Sequence, residues 1–153
     1  MSLTFFDWMF FFSAVSFFSI IIGVFIGMKK EMIDFVRRIG LGIIILIFPV
    51  FFVFINYIVL GKELWIILFI IFILVYLIIE TILDFVLHSD FRDNWKTHVP
   101  YILLEYAACF GFLFVTISID AILGWIVAVF FWAFFGALIY LYAGKKQSKK
   151  EGD

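Results

Sequence analysis

Long uncharged stretches dominate the chain, and short polar segments separate them. The first stretch covers residues 8–28 and ends at Lys29, and its 21 residues match the roughly 20 that an α-helix needs to cross the hydrocarbon of a bilayer. The second and third cover residues 39–60 and 64–87, with a tight turn at Gly61 between them. Each stretch predicts one membrane-spanning helix.

The last apolar stretch, residues 99–142, is too long for one crossing. A single helix of this length would extend about 66 Å at 1.5 Å per residue, more than twice the roughly 30 Å of bilayer hydrocarbon. The chain must therefore fold back, and the polar interruption at Asp120 is the best place, since its carboxylate can cap the helix that follows. The sequence predicts spans at residues 100–118 and 121–142, and hence an all-α bundle of five transmembrane helices in a single domain.

The distribution of basic residues gives this bundle an orientation. Cytoplasmic loops of membrane proteins carry the excess of Lys and Arg. With five spans, ten of the eleven basic residues share one side and Lys62 alone lies on the other, whereas a single crossing at 99–142 would divide them six to five. We expect a protein integral to the cell membrane, with its amino terminus outside and the basic tail 143–153 in the cytoplasm. Asp7 stands where a signal peptide would be positively charged, so we expect the first span to be retained.

Composition places the chain in the same class. Hydrophobic residues make up 67% of it and charged residues 15%, with a mean hydropathy of +1.23, whereas soluble domains are about half apolar and a quarter charged. The single cysteine, Cys109, rules out an intrachain disulfide. The basic segments lack interleaved aromatic residues, which excludes a nucleic-acid partner; the expected surroundings are a lipid bilayer.

Acidic residues interrupt the third span where a membrane helix should have none. Glu80, Asp84 and His88 are four residues apart and share one helix face, which Tyr76 continues toward the bilayer centre. The next helix enters from the same side and carries Glu105 at about the level of Asp84. We therefore predict a pocket in the inner leaflet, lined by these four polar side chains with Tyr76 at its floor.

The negative charge of carboxylates at this depth must be offset by a cation, a proton or a basic residue. Burying one ionised side chain at the bilayer centre costs about 2.5–3.5 kcal/mol on insertion scales, and neighbouring carboxylates repel one another. Either a cation lies among them, or at least one carboxyl carries a proton. A divalent metal is an open cofactor, and only Asp84 with His88 or Glu105 could share it, because Glu80 and His88 are about 12 Å apart along the helix. Alternatively, these acids pair with basic residues at the cytoplasmic rim.

Small residues recur in the first span at Ser19, Gly23 and Gly27. This spacing lets helix backbones approach closely, so the face should pack against another helix. The spacing does not distinguish a contact within the chain from one with a second copy or another membrane protein.

Three functions fit the sequence. The first is binding or translocation of a proton, a cation or a small solute at the predicted pocket, in a homo-oligomer, because an odd number of spans cannot form two equal inverted halves. The second is a non-catalytic subunit or assembly factor that holds a partner through the small-residue face. The third is an intramembrane lipid-modifying enzyme with Asp84 and Glu105 as acid and base and His88 as proton shuttle. The chain has no phosphate loop, paired-histidine metal motif or nucleophile constellation, so an enzyme is the less favoured class.

Overall fold

Five α-helices make up the part of the chain that the computed structural model describes, residues 3–83 and 95–143. In chain order they are α1 (Phe5–Lys29), α2 (Ile33–Val59), α3 (Leu64–Thr81), α4 (Trp95–Ile119) and α5 (Ala121–Ala143). Each is long and apolar enough to cross a membrane. The predicted all-helical class with five long apolar helices is confirmed.

Some helices extend beyond the predicted apolar stretches into the charged residues that flank them. Helix α2 begins at Ile33, six residues before the predicted span, so Arg37 and Arg38 lie on its first turns instead of in a loop. Arginine favours a helix almost as strongly as leucine does, and a helix can continue beyond the hydrocarbon. Hydropathy marks where the chain becomes apolar, which is a different position from where it becomes helical.

The fold-back within residues 99–142 occurs at Asp120. Helix α4 ends at Ile119 and α5 begins at Ala121, and the Asp120 carboxylate accepts the backbone N–H groups of Ile122 at 2.8 Å and Leu123 at 3.0 Å. These two donors belong to the first turn of α5, where no carbonyl of the helix can satisfy them. The predicted cap is confirmed, and it explains how two helices follow each other with one residue between them.

Consecutive helices run antiparallel and pack side by side, and α1 also packs against α5 and α4. The bundle therefore has two ends. The Asp7 end holds the beginnings of α1, α3 and α5 and the ends of α2 and α4, and the Glu80 end holds the opposite termini. Contacts across neighbouring helices define both ends: Tyr57 bonds Asp7 at one, and Tyr101 bonds Glu80 at the other.

Aromatic side chains of α1 form the centre of the core. Phe17 is fully buried, and its ring lies 4.7 Å from that of Phe112 on α4 and 5.8 Å from that of Tyr76 on α3. Phe18 packs edge-on against Phe131 of α5. Such rings contribute both buried area and preferred edge-to-face geometry. Helix α1 is thus the element around which the other helices are arranged.

The outward faces of the helices are as apolar as the core. Exposed side chains include Phe12 on α1, Ile45 on α2, Val129 on α5 and Trp132 on α5, which is 71% exposed. A helix that is hydrophobic all round belongs in the interior of a large protein or in a bilayer. These five apolar helices suggest a multi-pass membrane protein.

Candidate functional site

Helix α3 directs its last polar side chains into the bundle. Tyr76 and Glu80 lie one turn apart and are 1% and 6% exposed, respectively. Apolar residues occupy the rest of this helix, and Thr81 satisfies its own hydroxyl by donating to the Leu77 carbonyl at 2.8 Å. Glu80 is therefore an ionisable group inside the bundle, where polar membrane residues usually carry function.

Helix α4 supplies the side chains that meet this stripe. The Tyr101 hydroxyl donates a hydrogen bond to the Glu80 carboxylate, and its oxygen lies 3.5 Å from that of Tyr76. The two phenol rings are 6.0 Å apart between centroids. A bond from a hydroxyl to a carboxylate is shorter and stronger than one between neutral groups. Glu80 and Tyr101 thus join α3 to α4 at the Glu80 end.

A second carboxylate belongs to the same group of side chains. Glu105 follows Tyr101 by one turn, and it lies close enough to Tyr76, Tyr101 and Cys109 to interact electrostatically with all three. We refer to Tyr76, Glu80, Tyr101 and Glu105 as the Glu80 cluster. Both carboxylates therefore act on the same two tyrosines, Tyr76 and Tyr101.

Apolar side chains close the Glu80 cluster on the side of the bundle centre. The Phe17 ring stands edge-on to Tyr76, at 86° between ring planes, and Ile73 and Phe112 beyond it are fully buried. Hydrogen bonds are electrostatically stronger in such surroundings than in water. Tyr76 therefore lies where the polar side chains end and the apolar core begins.

The structure brings together three of the five predicted pocket residues: Tyr76, Glu80 and Glu105. Asp84 and His88 lie outside the described residues, so their part in the pocket stays a prediction. The same holds for the predicted metal ligands, which combine these two with Glu105. Across residues 3–83 and 95–143, no three His, Cys, Asp or Glu side chains lie together as a metal site.

Sequence reasoning missed Tyr101 as the direct partner of Glu80. Tyr101 is not among the residues of the predicted pocket. The signal was present, because Tyr76 and Glu80 are four residues apart on one helix and Tyr101 and Glu105 are four apart on the antiparallel neighbour. Two such pairs on adjacent antiparallel helices can lie at the same level and contact each other.

A second polar contact lies at the Asp7 end. The Asp7 carboxylate accepts bonds from the Thr4 hydroxyl at 2.7 Å, the Thr4 backbone N–H at 2.8 Å and the Tyr57 hydroxyl at 2.7 Å. Asp7 forms a capping box with Thr4 at the start of α1. The bond from Tyr57 was not foreseen, and it fastens α1 to α2. With three donors, Asp7 is a satisfied structural group.

The small-residue face of α1 packs in part against α2. A Cβ atom at Gly27 would lie 2.8 Å from Val36 Cγ2, and one at Gly23 would lie 3.2 Å from Ile39 Cδ1. Ser19 differs, since it is exposed and its hydroxyl donates to the Val15 carbonyl at 2.7 Å. Two of the three positions thus serve contacts within the chain.

Comparison of the chain with protein-family models, with curated proteins and with solved structures finds no match. The function of this chain is therefore inferred from the chemistry of the Glu80 cluster.

Proposed function

We propose that this chain is an integral membrane protein that binds a proton or a small cation at the Glu80 cluster. The observation that carries the proposal is the hydrogen bond from the Tyr101 hydroxyl to the buried Glu80 carboxylate, with Glu105 in the same group. Ionised groups inside an apolar bundle are expensive, and they are usually retained for a pathway or a binding site. A cation or a proton bound there would offset the negative charge of the Glu80 carboxylate.

The chemistry of a phenol beside a carboxyl group suits reversible binding. The Tyr101 hydroxyl donates to Glu80 when the carboxylate is ionised, and the same oxygen can accept a bond from Glu80 when it is protonated. Tyr76, whose oxygen lies 3.5 Å from that of Tyr101, can follow such a reversal. Tyr101 can therefore hydrogen-bond Glu80 in both its ionised and its protonated state, and a binding site must alternate between such states.

Charge at the two ends of the bundle supports a cytoplasmic position for the cluster. At the Glu80 end, Lys29, Lys30, Arg37 and Arg38 surround the termini of α1 and α2, whereas Lys62 lies in the α2–α3 turn at the Asp7 end. Because basic residues remain in the cytoplasm, the proposal has the amino terminus outside and the basic tail inside. The cell membrane is the proposed location.

The rest of the predicted pocket extends this proposal. Asp84 and His88 follow Glu80 in sequence and would form the cytoplasmic mouth of the site, where they could hold a divalent metal with Glu105. Translocation across the membrane would also require a second copy, because five helices cannot supply the internal symmetry of inverted repeats. A homo-oligomer is therefore part of the transport form of the proposal.

A purely structural role is the second candidate, and one observation favours it. The Glu80–Tyr101 bond joins α3 to α4 much as the Asp7–Tyr57 bond joins α1 to α2. Two such clamps at opposite ends would stabilise a non-catalytic membrane subunit. The two candidates differ in whether Glu80 exchanges anything with the solution.

Cation binding that displaces protons separates the two candidates. Purified protein is first analysed for bound metal and then titrated with sodium or manganese ions in weakly buffered detergent solution, while released protons are measured. We expect release of about one proton per chain in the wild type, since a cation must displace protons from its ligands. Glu80→Gln should abolish the release. Glu63→Gln, which neutralises an exposed carboxylate in the α2–α3 turn, should leave it intact.

If Glu80→Gln changes neither proton binding nor cation binding relative to Glu63→Gln, the binding function is wrong and the structural role remains. If the wild type, with no cation present, takes up and releases a proton that Glu80→Gln lacks, the proton itself is the ligand.

A further inference from the structure

Helices α3 and α4 come into close backbone contact at Gly111. A Cβ atom at this position would lie 3.2 Å from both Cδ1 and Cγ1 of Ile73, and 3.3 Å from the backbone carbonyl oxygen of Phe69. The Ile73 side chain can turn aside, but the Phe69 carbonyl belongs to the rigid backbone of α3. The missing side chain of Gly111 is therefore what allows α4 to lie against α3 at this depth.

This contact and the Glu80–Tyr101 bond belong to the same helix pair. Ile73 lies about two helical turns from Glu80 along α3, and Gly111 lies about three turns from Tyr101 along α4. The layer between them contains Tyr76, which is 1% exposed, together with other fully buried side chains. Leu77 of α3 and Ala108 and Cys109 of α4 complete that layer.

Such a layer transmits displacement. A larger side chain at position 111 would push α4 away from α3. Because close-packed interiors have few voids, the side chains of this layer would move with α4 instead of filling a gap. The hydrogen bond at the end of the two helices is sensitive to the same shift, because bonds from a hydroxyl to oxygen occupy a narrow range of distances.

We propose that Gly111 is a positioning residue for the Glu80 cluster: it sets the separation of α3 and α4 at which the Tyr101 hydroxyl reaches Glu80. The proposal deepens the proposed binding function and rests on it for its consequence. A larger residue at position 111 separates the two helices, breaks the bond from Tyr101 and changes the affinity of Glu80 for its proton or cation. The effect increases with the size of the side chain.

The infrared C–O stretching band of the Tyr101 phenol tests this proposal directly. The band is identified as the one that Tyr101→Phe lacks, and its frequency reports whether the hydroxyl donates to a carboxylate. We expect Gly111→Ala to shift the band, and Gly111→Leu to shift it further, toward the frequency of a phenol without that acceptor. The affinity for the displacing cation, or for protons, should change at least threefold in Gly111→Leu.

Gly136 provides the matched control. It lies on α5 with no atom within 4 Å of its added Cβ, so Gly136→Ala and Gly136→Leu make the same chemical change in open space. Alanine favours the helix over glycine at both positions, and the comparison removes this general effect. Both control variants should leave the Tyr101 band unchanged.

An unchanged Tyr101 band in folded Gly111→Leu would overturn the proposal. If that variant does not fold, Gly111→Ala decides by the same band, because its Cβ requires a displacement of only a few tenths of an ångström. The band shift does not depend on ligand binding. A shifted band without any Glu80-dependent binding would therefore retain the positioning role and reject the binding function, whereas intact binding with an unshifted band would do the reverse.

Discussion

At the residue scale, two tyrosine–carboxylate bonds connect neighbouring helices, and they differ in what surrounds the carboxylate. Asp7 accepts two further bonds from Thr4, whereas Glu80 shares its surroundings with a second carboxylate, Glu105. A fully satisfied anion stabilises a fold. At the Glu80 cluster, we propose that a proton or a cation binds. The same bond type thus has a structural role at one end and a proposed binding role at the other.

The Asp7 contact leads to a stability prediction. Tyr57→Phe removes one donor from a carboxylate that is 6% exposed, and it should lower the free energy of unfolding by about 1.5–3 kcal/mol, as is typical of bonds to charged groups. Unfolding in mixed micelles measures this change. Tyr140→Phe, at an exposed tyrosine on α5, should cost less than about 0.5 kcal/mol. Equal losses in the two variants would contradict the clamp.

In each of these two contacts, the sequence alone drew attention to the carboxylate and not to its tyrosine partner. The position of Glu80 on a helix face followed from its spacing to Tyr76, because a helix fixes which residues four apart share a side. The partner of Asp7 lies 50 residues away, and no local pattern connects the two. Tyr57 therefore resembled an ordinary aromatic residue of the membrane interface, and only the packing of α1 on α2 shows its role.

At the scale of elements, the apolar stretches predicted that each helix exists. They did not determine at which residue each helix begins and ends, or which helices it packs against. Helix α2 continues through Arg37 because charged residues with high helix propensity extend it beyond the apolar region. The small-residue face of α1 shows the same limit. Its spacing predicted a close contact, and the structure adds that Gly27 contacts α2 while Ser19 remains exposed.

This difference predicts unequal effects along one face. Gly27→Leu forces side-chain atoms into Val36 and should lower the free energy of unfolding by about 1–3 kcal/mol, as overpacking commonly does. Ser19→Leu should change it by less than about 0.5 kcal/mol, because Ser19 is exposed. The same micelle unfolding assay compares them. A Ser19→Leu variant that loses a copurifying protein while its monomer stays stable would instead favour the subunit role.

At the scale of the whole molecule, five helices are apolar on their outward as well as their inward faces, and their charges concentrate at one end. The number of long apolar helices could be inferred from the sequence, since hydropathy is a property of consecutive residues; the orientation stays a prediction. The contact of α1 with α3, α4 and α5 through Phe17 and Phe18 could not. It depends on pairings between distant helices whose outward faces look equally apolar.

Orientation has a direct test in intact cells. A cysteine introduced by Ser2→Cys should react with a membrane-impermeant maleimide added outside, and a reporter fused after Asp153 should fold in the cytoplasm. The buried Cys109 should remain unlabelled. Labelling at residue 2 only after the membrane is made permeable would reverse the proposed orientation and place the Glu80 cluster on the outer side.

The central claim is that Glu80 exchanges a proton or a cation with the solution, and an infrared pH-difference spectrum of the wild type beside Glu80→Gln tests it most directly. We predict a carboxyl band that appears as the pH is lowered, is missing from Glu80→Gln, remains in Glu63→Gln and moves when a binding cation is added. A Glu80 group that keeps one protonation state between about pH 4 and about pH 10, the range in which carboxyl groups and tyrosines ordinarily titrate, and that responds to no cation, would contradict it.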